Sequence, residues 1–209
     1  MIINRHNMEI ISLLRGKEAS ESIQCLHVDM ESGKTVVTDR VAMVAVSVPN
    51  DVTDEYFPSV EGFLPATSPY SFSLNVNTVQ YLLGMIPKKH KIPKIPVYQC
   101  AAIGARDDKG NVSVGVMGDG FPTAVRVPTV GEKFPDYRSV LQKCQSRRPK
   151  STITVDSDRL ISILKLFGGG RVMIQTWGEA DPIKISAERS ETGQKLEALL
   201  MPMMPISKK

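Results

Sequence analysis

Glu132-Lys133-Phe134-Pro135-Asp136-Tyr137-Arg138-Ser139-Val140-Leu141 is the stretch on which the reading of this chain turns. Pro135 fixes one backbone torsion and removes an amide donor, which argues against a helix through this point. Phe134 and Tyr137 bracket Pro135 and Asp136 as aromatic anchors, and the stretch ends on apolar Val140 and Leu141. Taken by its chemistry alone, it is a rigid, non-helical, packed connector between folded units.

On either side of the connector the chain repeats itself, and a repeat constrains a fold more than any single motif. Ile3-Asn4, Leu74-Asn75 and Val155-Asp156 each end a short β-like segment, and each is followed at one common distance by an apolar residue: Met8, Val79 and Leu160. Asn and Asp suit the start of a helix because their side-chain oxygens accept from unpaired amides. Helical spacing follows in all three places. Met8, Ile11 and Leu14 form the first stripe, with Gly16 as its stop. Val79, Leu82, Leu83 and Ile86 form the second, ended by Pro87, and Leu160, Ile161, Leu164 and Phe167 the third, ended by Gly168 to Gly170. Strand-like alternation comes next. It shows at Leu26, Val28 and Met30, at Val44, Val46 and Val48, at Val112, Val114 and Val116, at Val125 and Val127, and at Ile183 and Ile185. Gly, Asp and Asn break these runs into antiparallel hairpins.

The unit is therefore strand, helix, then several strands, and two such units pack their helices side by side under one sheet. The expected class is α+β. Residues 1–145 are read as one complete domain of two half-repeats, 1–50 and 71–145, and residues 150–209 as a further half-domain.

Composition narrows the function classes. The 209 residues carry a net charge of +4, which permits a nucleic-acid partner without demanding one. No apolar run approaches the roughly 20 residues of a membrane span, and Met1 to Arg5 lacks the apolar core of a signal peptide. Cys25, Cys100 and Cys144 are scattered, which fits a reduced cytoplasmic setting better than a disulfide framework or a zinc site. His6, His27 and His90 stand isolated. Asp107 to Asn111 lacks the ligand pattern of a calcium loop and reads as a hairpin turn. No phosphate loop or nucleophile elbow is present in the sequence. A non-enzymatic protein without cofactor or metal is expected.

Three motifs carry a family resemblance. The Phe-Pro-Asp-Tyr-Arg stretch resembles the segment that closes a domain in the bacterial DNA sliding clamp, the beta subunit of DNA polymerase III. Val37-Thr38-Asp39-Arg40-Val41-Ala42-Met43 looks like the strand-turn-strand of clamp domains, of both the bacterial and the proliferating-cell nuclear antigen type. Leu199-Leu200-Met201-Pro202-Met203 is similar to the last residues of the bacterial clamp. They stand in the family's order. The resemblance implies the DNA-clamp fold, made of repeated strand-helix-strands half-domains with antiparallel sheets and helices on one face. The chain departs from it in having three half-repeats, in lacking Gly-His between Asp39 and Arg40, which implies a tighter turn, and in continuing as Met204-Pro205-Ile206.

The resemblance also assigns sites. Clamp helices line the hole through which DNA passes. On this chain the candidates for non-specific contact with double-stranded DNA are Arg15, Lys17, Arg159 and Lys165, joined by Lys88, Lys89 and Lys91 after the second helix. The solvated loop is the ordinary reading of that lysine run. The family's partner-peptide pocket, which receives DNA polymerases and clamp-loader-type proteins, maps onto Thr38, Arg40, Val41, Pro135, Arg138, Val140, Leu199, Leu200, Met201, Pro202 and Met203. Methionines and prolines give an adaptable apolar groove, and an arginine fixes polar ends of a peptide. Core packing competes as the reading of Val41, Val140 and Leu200. The expected function is a processivity factor or recruitment platform in replication or repair, as a homo-oligomer. The rival is a clamp-fold interaction module, of phage or mobile-element type, that never encircles DNA.

Overall fold

Each helix of the repeat begins at its Asn or Asp. In this computed structural model the Asn4 side chain accepts from the amide of Asn7 (3.1 Å) while Asn7 accepts in return from the amide of Asn4 (3.0 Å). Asn75 accepts from Thr78 (2.8 Å), and Asp156 from Arg159 (2.9 Å). The structure describes residues 1–14, 23–52, 57–87, 96–118, 121–146, 153–168, 171–178, 180–188 and 192–203.

The first unit is β1 (Ile2–Asn4), α1 (Arg5–Glu9) continued by a 3-10 turn over Ile10–Leu13, β2 (Cys25–Asp29), β3 (Lys34–Thr38) and β4 (Ala42–Ser47). The second is β5 (Ser71–Asn75), α2 (Val76–Met85), β6 (Cys100–Arg106), β7 (Asn111–Gly118) and β8 (Phe121–Pro128). Then come α3 (Tyr137–Gln145), α4 (Ser157–Leu166), β9 (Met173–Gln175), β10 (Ile183–Glu188) and β11 (Lys195–Leu200).

The strands form two antiparallel sheets where the sequence suggested one. Their orders are β1-β6-β7-β8 and β5-β2-β3-β4-β11-β10-β9. The first two units exchange opening strands: β1 pairs with β6, and β5 with β2. The third unit continues the second sheet, because β11 pairs with β4 from Leu196↔Val46 to Leu200↔Ala42. Both sheets and the helices α1, α2 and α4 share one core, which includes Ile3, Leu26, Val44, Leu74, Leu82, Val114, Ile163 and Ile185. Buried Gln194 ties the units together there. It donates to Asn7 Oδ1 and to the Ser47 carbonyl, each at 3.2 Å.

Strand alternation sends every second residue of the long sheet to its other face. Cys25, Val36, Met43, Ala45 and Leu199 emerge there and meet Phe134, Tyr137, Leu141, Cys144 and Trp177 in a second, smaller core. The stretch 132–141 covers this face. Its expected non-helical character holds only as far as Asp136. Asp136 caps α3 by accepting from the Ser139 amide at 3.1 Å. Pro135 precedes the cap, so it costs the helix no hydrogen bond. Helices thus lie on both faces of the long sheet. The connector 57–70 lies on the other sheet, where the Ala105 amide donates to the Leu64 carbonyl at 2.6 Å. A Cβ on Gly104 would collide with that carbonyl.

One stripe lies in a different rotation from the one the spacing predicts. On α4 the buried residues are Ile163 and Leu166, followed by Phe167, while Ile161 is 48% exposed and Leu160 and Leu164 are half-buried. Apolar residues at 160, 161, 163, 164, 166 and 167 allow two stripes, and contact with the first unit's 3-10 turn selects the second. Gly16 and the end of the Gly168 to Gly170 run lie outside the described residues. Among the described residues no helix is long and apolar enough to cross a membrane.

Candidate protein-interaction groove

The turn between β3 and β4 is built from two side chains. Asp39 Oδ1 accepts from the amides of Val41 (3.1 Å) and Ala42 (2.8 Å), and Thr38 Oγ1 donates to the Ala42 carbonyl (2.9 Å). The turn is tight. Arg40 sits at φ 74°, the one non-glycine residue at positive φ among the described residues. Such a conformation persists only where its surroundings over-determine it. The other Asp39 oxygen accepts from Arg159 of α4, so the third unit holds the turn from outside.

Across from this turn, the start of α3 is fastened to β2. The buried Asp29 carboxylate accepts from the Tyr137 hydroxyl, from Arg138 Nε (2.8 Å) and a terminal guanidinium nitrogen (2.6 Å), from the Ser32 amide (3.2 Å) and from the Ser71 hydroxyl (3.3 Å). Arg138 also reaches Glu31 at 2.9 Å. Burial by itself would raise the Asp29 carboxyl. The bonds from Arg138, Tyr137 and Ser32 overcome it and hold the group far below the usual carboxylate range. His27 stacks on Phe134 with ring centroids 4.4 Å apart, and its burial lowers the imidazole below its ordinary value. Burial pushes the Cys25 thiol up to about 11.

Between the turn and the fastened stretch runs an apolar groove of about 300 Å³. Thr38, Arg40 and Val41 line it from the turn, Pro135 and Val140 from the covering stretch, and Leu199 and Met201 from the end of β11. These are the sequence candidates that the fold brings together. Ile23, Ala42, Met43, Phe134, Asp136, Tyr137 and Pro182 complete the wall. Met43 was legible in principle, since it pairs with Thr38 and shares its face. Ile23 and Pro182 carry no sequence signal that would have placed them here.

Four pocket candidates stand apart. Leu200 is fully buried on the opposite face of β11, as period-2 alternation after Leu199 requires. Arg138 is engaged by Asp29 and Glu31 and does not line the groove. Pro202 and Met203 lie beyond the lining, with the Met203 amide donating to the Thr154 carbonyl at 2.8 Å.

The candidates for DNA contact are scattered. Arg159 is committed to Asp39. Lys165 is exposed on the last turn of α4. Arg15, Lys17, Lys88, Lys89 and Lys91 lie outside the described residues. Helix α2 carries no charged side chain, and Arg5 on α1 pairs with Glu9 at 2.8 Å. Among the described residues no group of three or more His, Cys, Asp or Glu side chains is placed to hold a metal ion.

No family model matches the chain, and no curated protein matches it by sequence. Solved structures do match its fold. The H. pylori beta clamp in complex with diflunisal is 9% identical, with a TM-score of 0.63 over 97% of this chain and 64% of that one. The DNA polymerase sliding clamp of Bacillus subtilis is 10% identical, with a TM-score of 0.60 over 98% of this chain and 64% of that one. A. fulgidus PCNA bound to the C-terminal region of FEN-1 is 12% identical, with a TM-score of 0.56 over 97% of both chains. The chain therefore has the DNA-clamp fold, of the α+β class, and spans under two thirds of the length of these bacterial clamps.

Proposed function

We propose that this chain is a non-enzymatic, sliding-clamp-like recruitment platform in DNA replication or repair. It holds a short segment of a polymerase or clamp-loader-type protein in the groove between the β3–β4 turn and the start of α3. The observation that carries this reading is the groove itself: on a clamp fold, three segments distant in sequence converge on one apolar groove. Helix-in-groove and extended-peptide docking both use such channels, with anchor side chains supplying affinity. The A. fulgidus neighbour, bound to a segment of another protein, supports the same use here.

The reading divides the chain into a complete clamp-like domain over 1–145 and an added half-domain over 150–209. The exchange of β1 and β5 within the first part supports that division. Loose, sequence-independent contact with duplex DNA belongs to the same proposal, through Lys165 together with Arg15, Lys17, Lys88, Lys89 and Lys91. Arg159 leaves the set. The second reading, a clamp-fold interaction module that does not enclose DNA, is favoured by the uncharged α2 and by the engagement of Arg159 with Asp39.

Fluorescence anisotropy with a labelled partner peptide tests the groove. Saturable binding that Met201→Ala weakens is expected, and no binding at millimolar protein would refute it. Retention on circular but not linearised DNA in the presence of a loader separates the two readings. Equal loss from both forms would leave the interaction module.

A further inference from the structure

His27 stands on the outer face of β2, between Cys25 and Asp29, and the covering stretch lies on top of it. Its ring is stacked flat against Phe134, with 4.4 Å between centroids and 6° between planes, and it meets Tyr137 edge-on at 6.0 Å. Phe134 and Tyr137 are themselves in edge contact at 6.4 Å. On its other side, Nδ1 of His27 lies 3.1 Å from the hydroxyl of buried Ser73 on β5. The Ser73 carbonyl accepts from the amide of Val130 at 2.8 Å, an antiparallel bridge just ahead of the covering stretch. One residue of β5 thus fastens both the imidazole and the start of the segment that covers it.

The charges around this ring are already spent. Asp29, next on the same face, is taken by Arg138, Tyr137, Ser32 and Ser71. Arg138 is shared between Asp29 and Glu31. On β3, Lys34 stands opposite Asp29 and is engaged by Glu197. In the covering stretch Glu132 and Lys133 are exposed and opposite in sign, and Asp136 caps α3. Burial raises the Cys25 thiol and the Tyr137 hydroxyl, so both stay neutral near pH 6. Asp29 favours an imidazolium and Arg138 opposes it, and the larger effect is burial, which lowers the imidazole below its ordinary value. The face of Phe134 attracts a cation, but that attraction is small at a single ring contact beside the loss of water. A charged His27 regains water only when Phe134 moves away.

We propose that His27 is a proton-operated latch: its neutral ring holds the covering stretch on the long sheet, and its protonation below neutral pH releases that stretch together with the groove wall it forms. Phe134, Pro135, Asp136, Tyr137 and Val140, the groove residues of the stretch, are released as one. The open form binds the proton more tightly than the closed form, so acid shifts the population towards the open form by the ratio of the two proton affinities. The sign follows from the lowered imidazole. The closed form keeps its full advantage above about pH 6.5 and loses it as pH falls below that value. Asp29 keeps its charge throughout this window, because its carboxyl is held far below it. The latch acts on the cover whatever the groove holds.

The test uses the full chain without any peptide. Trp177, the only tryptophan of the chain, is buried in the small core with Phe134 and Tyr137, so its emission reads the closure of the cover. Between about pH 7.5 and about pH 5 the emission should shift reversibly to the red. His27→Phe keeps a ring against Phe134 and takes no proton, and its emission should stay constant over the same range. His6, buried on α1, is present in both chains, so the difference isolates His27. Proton NMR of the His27 ring in the wild type, folded and in urea, gives a result that does not depend on the variant folding. The folded midpoint should lie below the urea midpoint and coincide with the Trp177 shift, and each unit between the two midpoints multiplies the open population in acid about tenfold. A folded midpoint at or above the urea value would overturn the latch. So would an emission shift that His27→Phe retains in full, or an emission that stays constant while His27 titrates, since the ring would then charge beneath a closed cover.

Discussion

Replacing Asp29 with Ala should unfasten the wall of the groove. The carboxylate is 1% exposed and takes five hydrogen bonds, four of them from side chains or amides that bring β2, its turn and the head of α3 together. Hydrogen bonds to a charged acceptor contribute about 1.5–3 kcal/mol each when both groups are desolvated. Arg138 is half exposed and regains water when its partner goes, so its share is the smaller one. Tyr137 is buried but keeps the Ser32 hydroxyl at 2.9 Å. The sum for Asp29→Ala is about 3 kcal/mol. Arg138→Ala leaves Asp29 with its other donors and should cost less than Asp29→Ala. Urea unfolding of both single variants and the double variant gives the coupling, which should differ from zero. The pH dependence has a definite sign. The folded-state pKa of Asp29 lies below its unfolded value, so its contribution is present in full above about pH 4 and is lost as pH falls below that. The stability difference between wild type and Asp29→Ala should therefore shrink in acid. Affinity for a groove peptide should fall several-fold in the variant. A cost under about 1 kcal/mol, or single-variant effects that simply add, would refute the fastening argument.

Neighbouring residues of the last strand should behave in opposite ways. Leu200→Ala, at a fully buried site, should cost about 2–5 kcal/mol in urea unfolding, whereas Met201→Ala, at a site 40% exposed, should stay within about 1 kcal/mol and weaken the peptide instead. For duplex DNA, Lys165→Ala should flatten the salt dependence of binding by about one charge, and Arg159→Ala should leave that slope unchanged. For assembly, β9 pairs only with β10 among the described residues and exposes Met173 and Ile174, and α4 exposes Ile161. If these surfaces join two copies of the chain, light scattering will give a dimer or larger species that Ile161→Asp converts towards monomer; a monomer at micromolar wild type would sink the homo-oligomer.

Local rules carried most of the fold. The three helix starts, the valine alternation and the hairpin turn at Asp107 to Asn111 depend on residues a few positions apart, and among the described residues they are where the sequence placed them. Asp107 is an instance: its carboxylate accepts from the amides of Lys109 and Asn111 as a hairpin turn requires. The misreadings came where local chemistry allowed two answers. Pro135 was read as barring a helix, but a proline one residue before a cap leaves the helix intact, and only the presence of a sheet face to cover decides that α3 forms. The α4 stripe was ambiguous because apolar residues covered two faces. For the candidate groove, the resemblance named three segments that the fold brings together but not the faces of their side chains. Leu199 and Leu200 differ by one position in sequence and by a whole sheet face in space. Arg138 and Arg159 looked like free cations because their acidic partners, Asp29 and Asp39, lie more than a hundred residues away.

The groove exists because of one strand pairing. Remove β11 from the edge of β4, and Leu199 and Met201 leave the wall, Arg159 leaves Asp39, and Pro182 leaves Val140. Charge reinforces that seam. Glu197 on β11 pairs with Lys34 on β3 at 2.8 Å and with Lys184 on β10 at 2.5 Å, and these two lysines overcome the effect of burial to lower its carboxyl. The turn and the end of β11 are thus held by contacts between the third unit and the first, while the covering stretch is held by Asp29. If a partner segment seats in the groove as proposed, it touches both sides of the seam at once. Its binding energy therefore adds to the β4–β11 pairing, and by linkage a chain with a weakened seam must bind the segment less tightly. The third unit is in this sense part of the groove, because the first two units by themselves hold only the turn and the covering stretch.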